Sequence, residues 1–279
     1  MKQFKLYVIA TLIVMGLFSC KENLDPIEVT TEHFHTAIDK VVDVMIHDIF
    51  SPPVASRVFV YPNIAAYEIL AQNDTAYFSL KNQIKHLGAI PSPNESKRIN
   101  YPLAALIAHI HLSKQLIFSE AKIETHRDSL YNVWEAKNPR EFKESKAYGL
   151  EVAAYISDWM NKDNYAQTRT MPKFSVDSED EGRWQPTPPS YMDGLEPHWN
   201  KIRSFVLESA DQFKPAPPPK FSMNKNSDFY KELVEVYEIS KEITKKGDTS
   251  EEIAIAQFWD CNPYVSVTRG HLMFAVKKI

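Results

Sequence analysis

The apolar residues of this chain recur at intervals of three and four almost throughout, a spacing that lines one face of an α-helix and no face of a strand. From Thr31 to Phe50 the stripe is Phe34, Ile38, Val41, Val42, Met45, Ile46 and Ile49. Pro52-Pro53 breaks it, and VASRVFVYPNIAAYEILAQ resumes it with Pro62 as a kink or restart. YPLAALIAHIHLSKQLIF, from Tyr101, is apolar on nearly every side and predicts a helix buried all round. A further helical pattern runs from Ser119 to Lys137. After Asn138, Pro139 takes a first-turn position, where its missing N–H costs nothing, and the pattern continues to about Asn161. Ser227 to Thr244 is closed by Lys245, Lys246 and Gly247, cations and then a glycine. Thr249 and Glu252 fit a capping box opening a last helix to about Asp260, with Pro263 beyond it. No run alternates as a strand does, no segment repeats, and there are only seven glycines. The fold class is all-α.

Residues 170–220 break the pattern: nine of the 18 prolines fall there. Only HWNKIRSFVLESA within it has a helical look. Trp184, Tyr191, Trp199 and Phe205 would be wasted in a solvated linker, so the segment is expected to wrap the helical body.

Residues 1–20, MKQFKLYVIATLIVMGLFSC, have the form of an export signal: Lys2 and Lys5, then an apolar core too short for a spanning helix. Leu17-Phe18-Ser19-Cys20 resembles a bacterial lipobox, which makes Cys20 a lipidated N-terminus and residues 21–30 a polar tether. The expected partner is the membrane, through that lipid, and the expected location is the bacterial cell envelope. Cys20 is thereby removed from any disulfide, and Cys261 is left as a lone thiol, expected to be a buried small hydrophobe. The net charge of −4 is spread along the chain with no basic stripe, which argues against nucleic acid.

Little chemistry is visible. His33 and His35, like His109 and His111, are two residues apart, a helical spacing that turns the rings to different faces. No His-Glu-x-x-His motif, glycine-rich phosphate loop or Gly-x-Ser-x-Gly elbow occurs. Asp43 with Asp48, and Glu251 with Glu252, are indistinguishable from solvated helix faces. The residues themselves define no metal site.

Three stretches taken together, SPPVASRVFVYPNIAAYEIL (51–70), RWQPTPPSYMDGLEPHWNKIRSFVL (183–207) and QFWDCNPYVSVTRGHLMFAVKKI (257–279), resemble exported bacterial members of the vanadium-dependent haloperoxidase family, within the type-2 phosphatidic acid phosphatase superfamily. The resemblance implies a helical-bundle fold whose oxyanion site holds vanadate or phosphate between a lysine and two arginines. One histidine lies axial to the oxyanion and another serves as acid/base. The signature is Lys-x6-Arg-Pro, then Pro-Ser-Gly-His, then Ser-Arg-x5-His.

None of this signature is present. There is no Arg-Pro and no Ser-Gly-His; Gly270-His271 follows Arg269 where serine belongs, and Ser56-Arg57 is followed at the required spacing by Asn63. The expectation is therefore residues 31–279 as the N-terminal region of a haloperoxidase-like fold without its catalytic bundle. No catalytic, cofactor or metal residue is assigned within it. Vanadate and a small-molecule substrate belong to the full-length form alone, so the chain by itself is expected to be inactive. The alternative is a non-catalytic exported helical lipoprotein that binds an envelope partner or glycan, with the proline-aromatic loop as its contact surface.

Overall fold

The computed structural model describes residues 25–247 and 250–259. Cys20, Cys261, Gly270 and His271 lie outside them. Five long helices form the body: α1 Thr31–His47, α2 Pro52–Asn73, α3 Tyr101–Gln115, α4 Glu120–Lys137 and α5 Pro139–Asn161. Among the described residues there is no strand.

The apolar-all-round segment is the centre of the bundle. In α3, Leu103 to Ile110 are all buried, as are Leu112 and Ser113, and Asn100 caps its start by accepting from Leu103 N at 3.1 Å. α3 packs most extensively against α2 and α5. Its alanines permit this: Ala104, Ala105 and Ala108 face neighbours at close range. Gly149 of α5 lies so near that a Cβ there would sit 2.5 Å from the Ala104 carbonyl oxygen. Each fully buried Leu or Ile of this core, such as Leu106, Ile107 and Ile156, contributes about 1.5–3 kcal/mol relative to exposure.

Helix boundaries follow local chemistry. Pro139 opens α5 behind Asn138, whose side chain accepts from Glu141 N at 3.1 Å. α2 starts at Pro52 and runs without a restart through Pro62; Asn63 Nδ2 donates to the Phe59 carbonyl at 2.7 Å in that turn. Ile49, expected on the buried stripe of α1, falls beyond the helix end with φ 55° and is 53% exposed. The turn that reverses the chain into α2 takes precedence over its periodicity.

The segment before α1 is docked from Ile27, which is buried and donates its N–H to Glu141 Oε2 at 2.8 Å, while its carbonyl accepts from Asn100 Nδ2 at 2.7 Å. After α5 come a short helix α6, Tyr165–Thr168, and a long loop with a single 3-10 turn at Trp199–Lys201. The helix expected over 198–210 is therefore reduced to that turn. Trp199 and Phe205 pack against the core, whereas Trp184 and Tyr191 are 50% and 61% exposed. Two of the four aromatics anchor the loop.

Two more helices follow, α7 Asp228–Lys246 and α8 Glu251–Trp259. Ser227 caps α7 by accepting from Tyr230 N at 3.2 Å, and Gly247 at φ 70° ends it. The cap of α8 is Ser250, accepting from Ile253 N at 3.2 Å, one residue later than the capping box expected from the sequence. Thr249 lies outside the described residues. Neither α7 nor α8 buries a residue, although α7 carries Leu233, Val236 and Tyr237 and α8 carries Ile255, Phe258 and Trp259.

Candidate functional site

Arg57 is a guanidinium in the middle of an apolar helix, so it needs a buried anion. It finds Asp163, in the turn after α5: Nε and Nη2 both reach Asp163 Oδ2 at 2.7 Å. Tyr61, one turn along α2, donates to the same oxygen at 2.7 Å, and Tyr165 N donates to Oδ1 at 2.8 Å. Asp163 is 1% exposed and Arg57 8%. The guanidinium also lies over the Tyr165 ring, 4.0 Å from its centroid. Burial first, then the hydrogen bond to Asp163, push the Tyr61 phenol well above its ordinary range, so it stays a donor.

The long loop is fastened to this cluster by backbone bonds. Arg203 N donates to the Asp163 carbonyl at 2.8 Å, and Lys85 N to the Phe205 carbonyl at 2.8 Å. The Tyr61, Trp159 and Phe205 rings meet edge-on or tilted with centroids 5.4–6.0 Å apart. Beside the pair is a cavity of about 300 Å³ lined by Phe50, Val54, Val58, Ile117, Phe118 and Met160, with Arg57 and Asp163 at one side.

This arrangement organises the fold; it does not fit an oxyanion clamp. The charge of Arg57 is taken by Asp163, and the adjoining cavity is lined by neither lysine nor histidine. Vanadate therefore has no fitting site around Arg57. The histidines are dispersed. His33 Nδ1 accepts from Thr30 N at 3.1 Å at the start of α1, His198 Nε2 lies 2.7 Å from the Pro172 carbonyl, and His109 is 2% exposed against Phe34. Burial lowers the pKa of His109 to about 4. Among the described residues no group of three or more His, Cys, Asp or Glu is arranged to hold a metal.

Asp43 and Asp48 do not act as a pair. Asp48 accepts from Phe118 N at 3.0 Å, Ser119 N at 2.9 Å and the Ser119 hydroxyl, pinning the α3–α4 link, while Asp43 faces Lys40 at 3.9 Å. Asp163 escaped the sequence reading. The one signal was Arg57 itself, a charge on an apolar face that requires a partner, but spacing does not say which of the 36 acidic residues supplies it.

An all-helical bundle built around one buried helix and laced by a proline-rich loop defines the class. No family model matches the chain, and no curated protein matches it. Among solved structures it is similar to a bacterial vanadium-dependent iodoperoxidase, with a TM-score of 0.85 and 64% identity over 88% of this chain and 59% of that one. Over the shared part the chain resembles the vanadium-dependent haloperoxidase superfamily, as its three stretches implied. It spans less than two thirds of the length of that iodoperoxidase.

Proposed function

We propose that this chain forms the N-terminal helical body of a vanadium-dependent haloperoxidase, of the iodide-oxidising kind, and has no peroxidase activity as these 279 residues alone. The observation that carries the reading is the 64% identity to the iodoperoxidase across 88% of this chain and only 59% of the other. Three features support the inactive-alone part. The Arg-Pro and Ser-Gly-His elements do not occur. Arg57 is neutralised where it stands. Leu233, Val236 and Tyr237 of α7 and Ile255 of α8 are exposed, as on a surface built to receive further structure.

The protein is exported and held at the bacterial envelope by a lipid on Cys20. The support is the form of residues 1–20. Mass analysis of the mature N-terminus, with release of the protein from membranes by Cys20→Ala, tests the anchor.

The experiment for the activity begins with the source DNA beyond the codon for Ile279. If the frame continues, or resumes after one shift, into Arg-Pro, Ser-Gly-His and Ser-Arg-x5-His, the whole product is assayed for vanadate-dependent iodide oxidation and for phosphate-ester hydrolysis. Oxidation supports the proposal, and hydrolysis alone places the protein with the phosphatases. A stop codon with no such motif nearby, and stable protein, would favour the envelope-binding lipoprotein instead.

A further inference from the structure

Beside Trp159 the fold leaves a second recess, lined mostly by polar residues. It is a cavity of about 300 Å³ lined by His86, Tyr155, Asp158, Trp159, Lys162 and Arg203. Arg203 is the unusual member. Its Nη2 donates to the Trp159 carbonyl at 3.0 Å and its guanidinium covers the Trp159 ring at 4.3 Å, so its partners are a carbonyl and a ring, neither of them an anion. Its Nε is buried and makes no hydrogen bond. A buried, unused donor on a cation is a cost that a bound anion removes. Lys162 is bridged at 2.6 Å to Asp158, but both side chains are about two-thirds exposed. Such a pair holds weakly, which leaves the ammonium able to turn to a ligand. His86 has φ 61°, a conformation uncommon outside glycine, and its backbone is held there from the preceding residue. Lys85 O accepts from Trp159 Nε1 at 3.1 Å, and Lys85 N bonds to Phe205 O at 2.8 Å.

We infer that this recess, between the end of α5, the turn at His86 and the loop at Arg203, binds a small phosphate- or sulfate-like oxyanion. Arg203 is its main donor, and Lys162 and His86 assist. The planar guanidinium suits such an anion, and the excess of cationic groups over the single Asp158 carboxylate gives the charge. With one arginine, one bridged lysine and one histidine it has fewer donors than the clamp of the haloperoxidases, and it is assigned binding only. The inference does not depend on the peroxidase reading, because every lining residue belongs to this chain.

Inorganic phosphate is titrated into the full chain at constant ionic strength, followed by phosphorus NMR line width and by the thermal midpoint, with sulfate as a second oxyanion and chloride as control. Phosphate and sulfate should bind and raise the midpoint, and chloride should not. Arg203→Gln should weaken phosphate at least about tenfold. Lys162→Gln, an exposed change that leaves the fold intact, should weaken it less, and Lys220→Gln, an exposed position that does not line the recess, not at all. Phosphatidylglycerol vesicles provide a second arm. Binding to them that is lost in Arg203→Gln identifies a lipid headgroup as the source of the phosphate, and binding of free phosphate alone identifies a soluble one. Absence of any oxyanion effect, or one unchanged in both Arg203→Gln and Lys162→Gln, overturns the inference.

Discussion

Arg57 and Asp163 lie 106 residues apart in the sequence and share a contact of 2.7 Å in the interior, where Asp163 also takes the Tyr61 hydroxyl. This ties α2 to the turn at the end of α5 and, through the Asp163 carbonyl and Arg203 N, to the wrapping loop.

Breaking one side of a buried pair leaves a charge without compensation. Asp163→Asn should therefore cost about 3–5 kcal/mol in urea unfolding. Adding Arg57→Met to it should recover part of that loss, because the stranded cation is gone. A double-mutant cycle with a coupling of at least about 1 kcal/mol checks the relationship, and additive losses would contradict it.

Asp48 should make the protein acid-sensitive through the α3–α4 link. Partial burial pushes its carboxyl up, but the hydrogen bonds from Ser119 and Phe118 outweigh this and leave its pKa below the ordinary 3.8. A depressed carboxyl stabilises the fold above the unfolded value, and the gain is lost as pH falls through the folded one. Asp48→Ala should cost about 1–2 kcal/mol at neutral pH, and the variant and parent should converge in thermal stability at the acid end.

His109 has the opposite origin and the same direction. Burial against Phe34 holds it neutral, with a pKa of about 4 in place of 6.5. The unfolded chain binds this proton first, so stability falls as pH drops from 6.5 towards 4, by an amount on the order of 3 kcal/mol at the limit. His109→Leu should flatten that limb of the melting-temperature profile between those values. An unchanged slope would assign it to other groups.

Gly149→Ala pits helix propensity against packing. Alanine is favoured in a helix by about 1 kcal/mol, but the new Cβ would lie 2.5 Å from a main-chain oxygen of α3, which cannot swing aside. Overpacking should win, with a net loss of roughly 1–2 kcal/mol by denaturant midpoint at unchanged slope. A gain in stability would mean that α3 and α5 can separate freely.

Much of the fold was legible because helix formation is local. The stripe of α1, the buried α3, the proline start of α5 and the glycine end of α7 each depend on residues within a turn of one another. The long loop was legible only in part. Its prolines ruled out regular structure over most of its length. Residues 198–210 looked helical, yet beyond the turn at Trp199–Lys201 the backbone of Arg203 and Phe205 bonds instead to the Asp163 carbonyl and the Lys85 N–H, both distant in sequence.

The candidate sites were the least legible, for the same reason. Helical periodicity carried the all-α class, and the three stretches 51–70, 183–207 and 257–279 carried the superfamily resemblance and the missing oxyanion signature, since each is written in neighbouring residues. Which carboxylate would neutralise Arg57, and that Arg203 would stand over Trp159 with an unused donor, were decided by the tertiary structure. Buried charge and orphaned donors are matters of what surrounds a side chain, and that environment is assembled from segments that periodicity cannot place against one another.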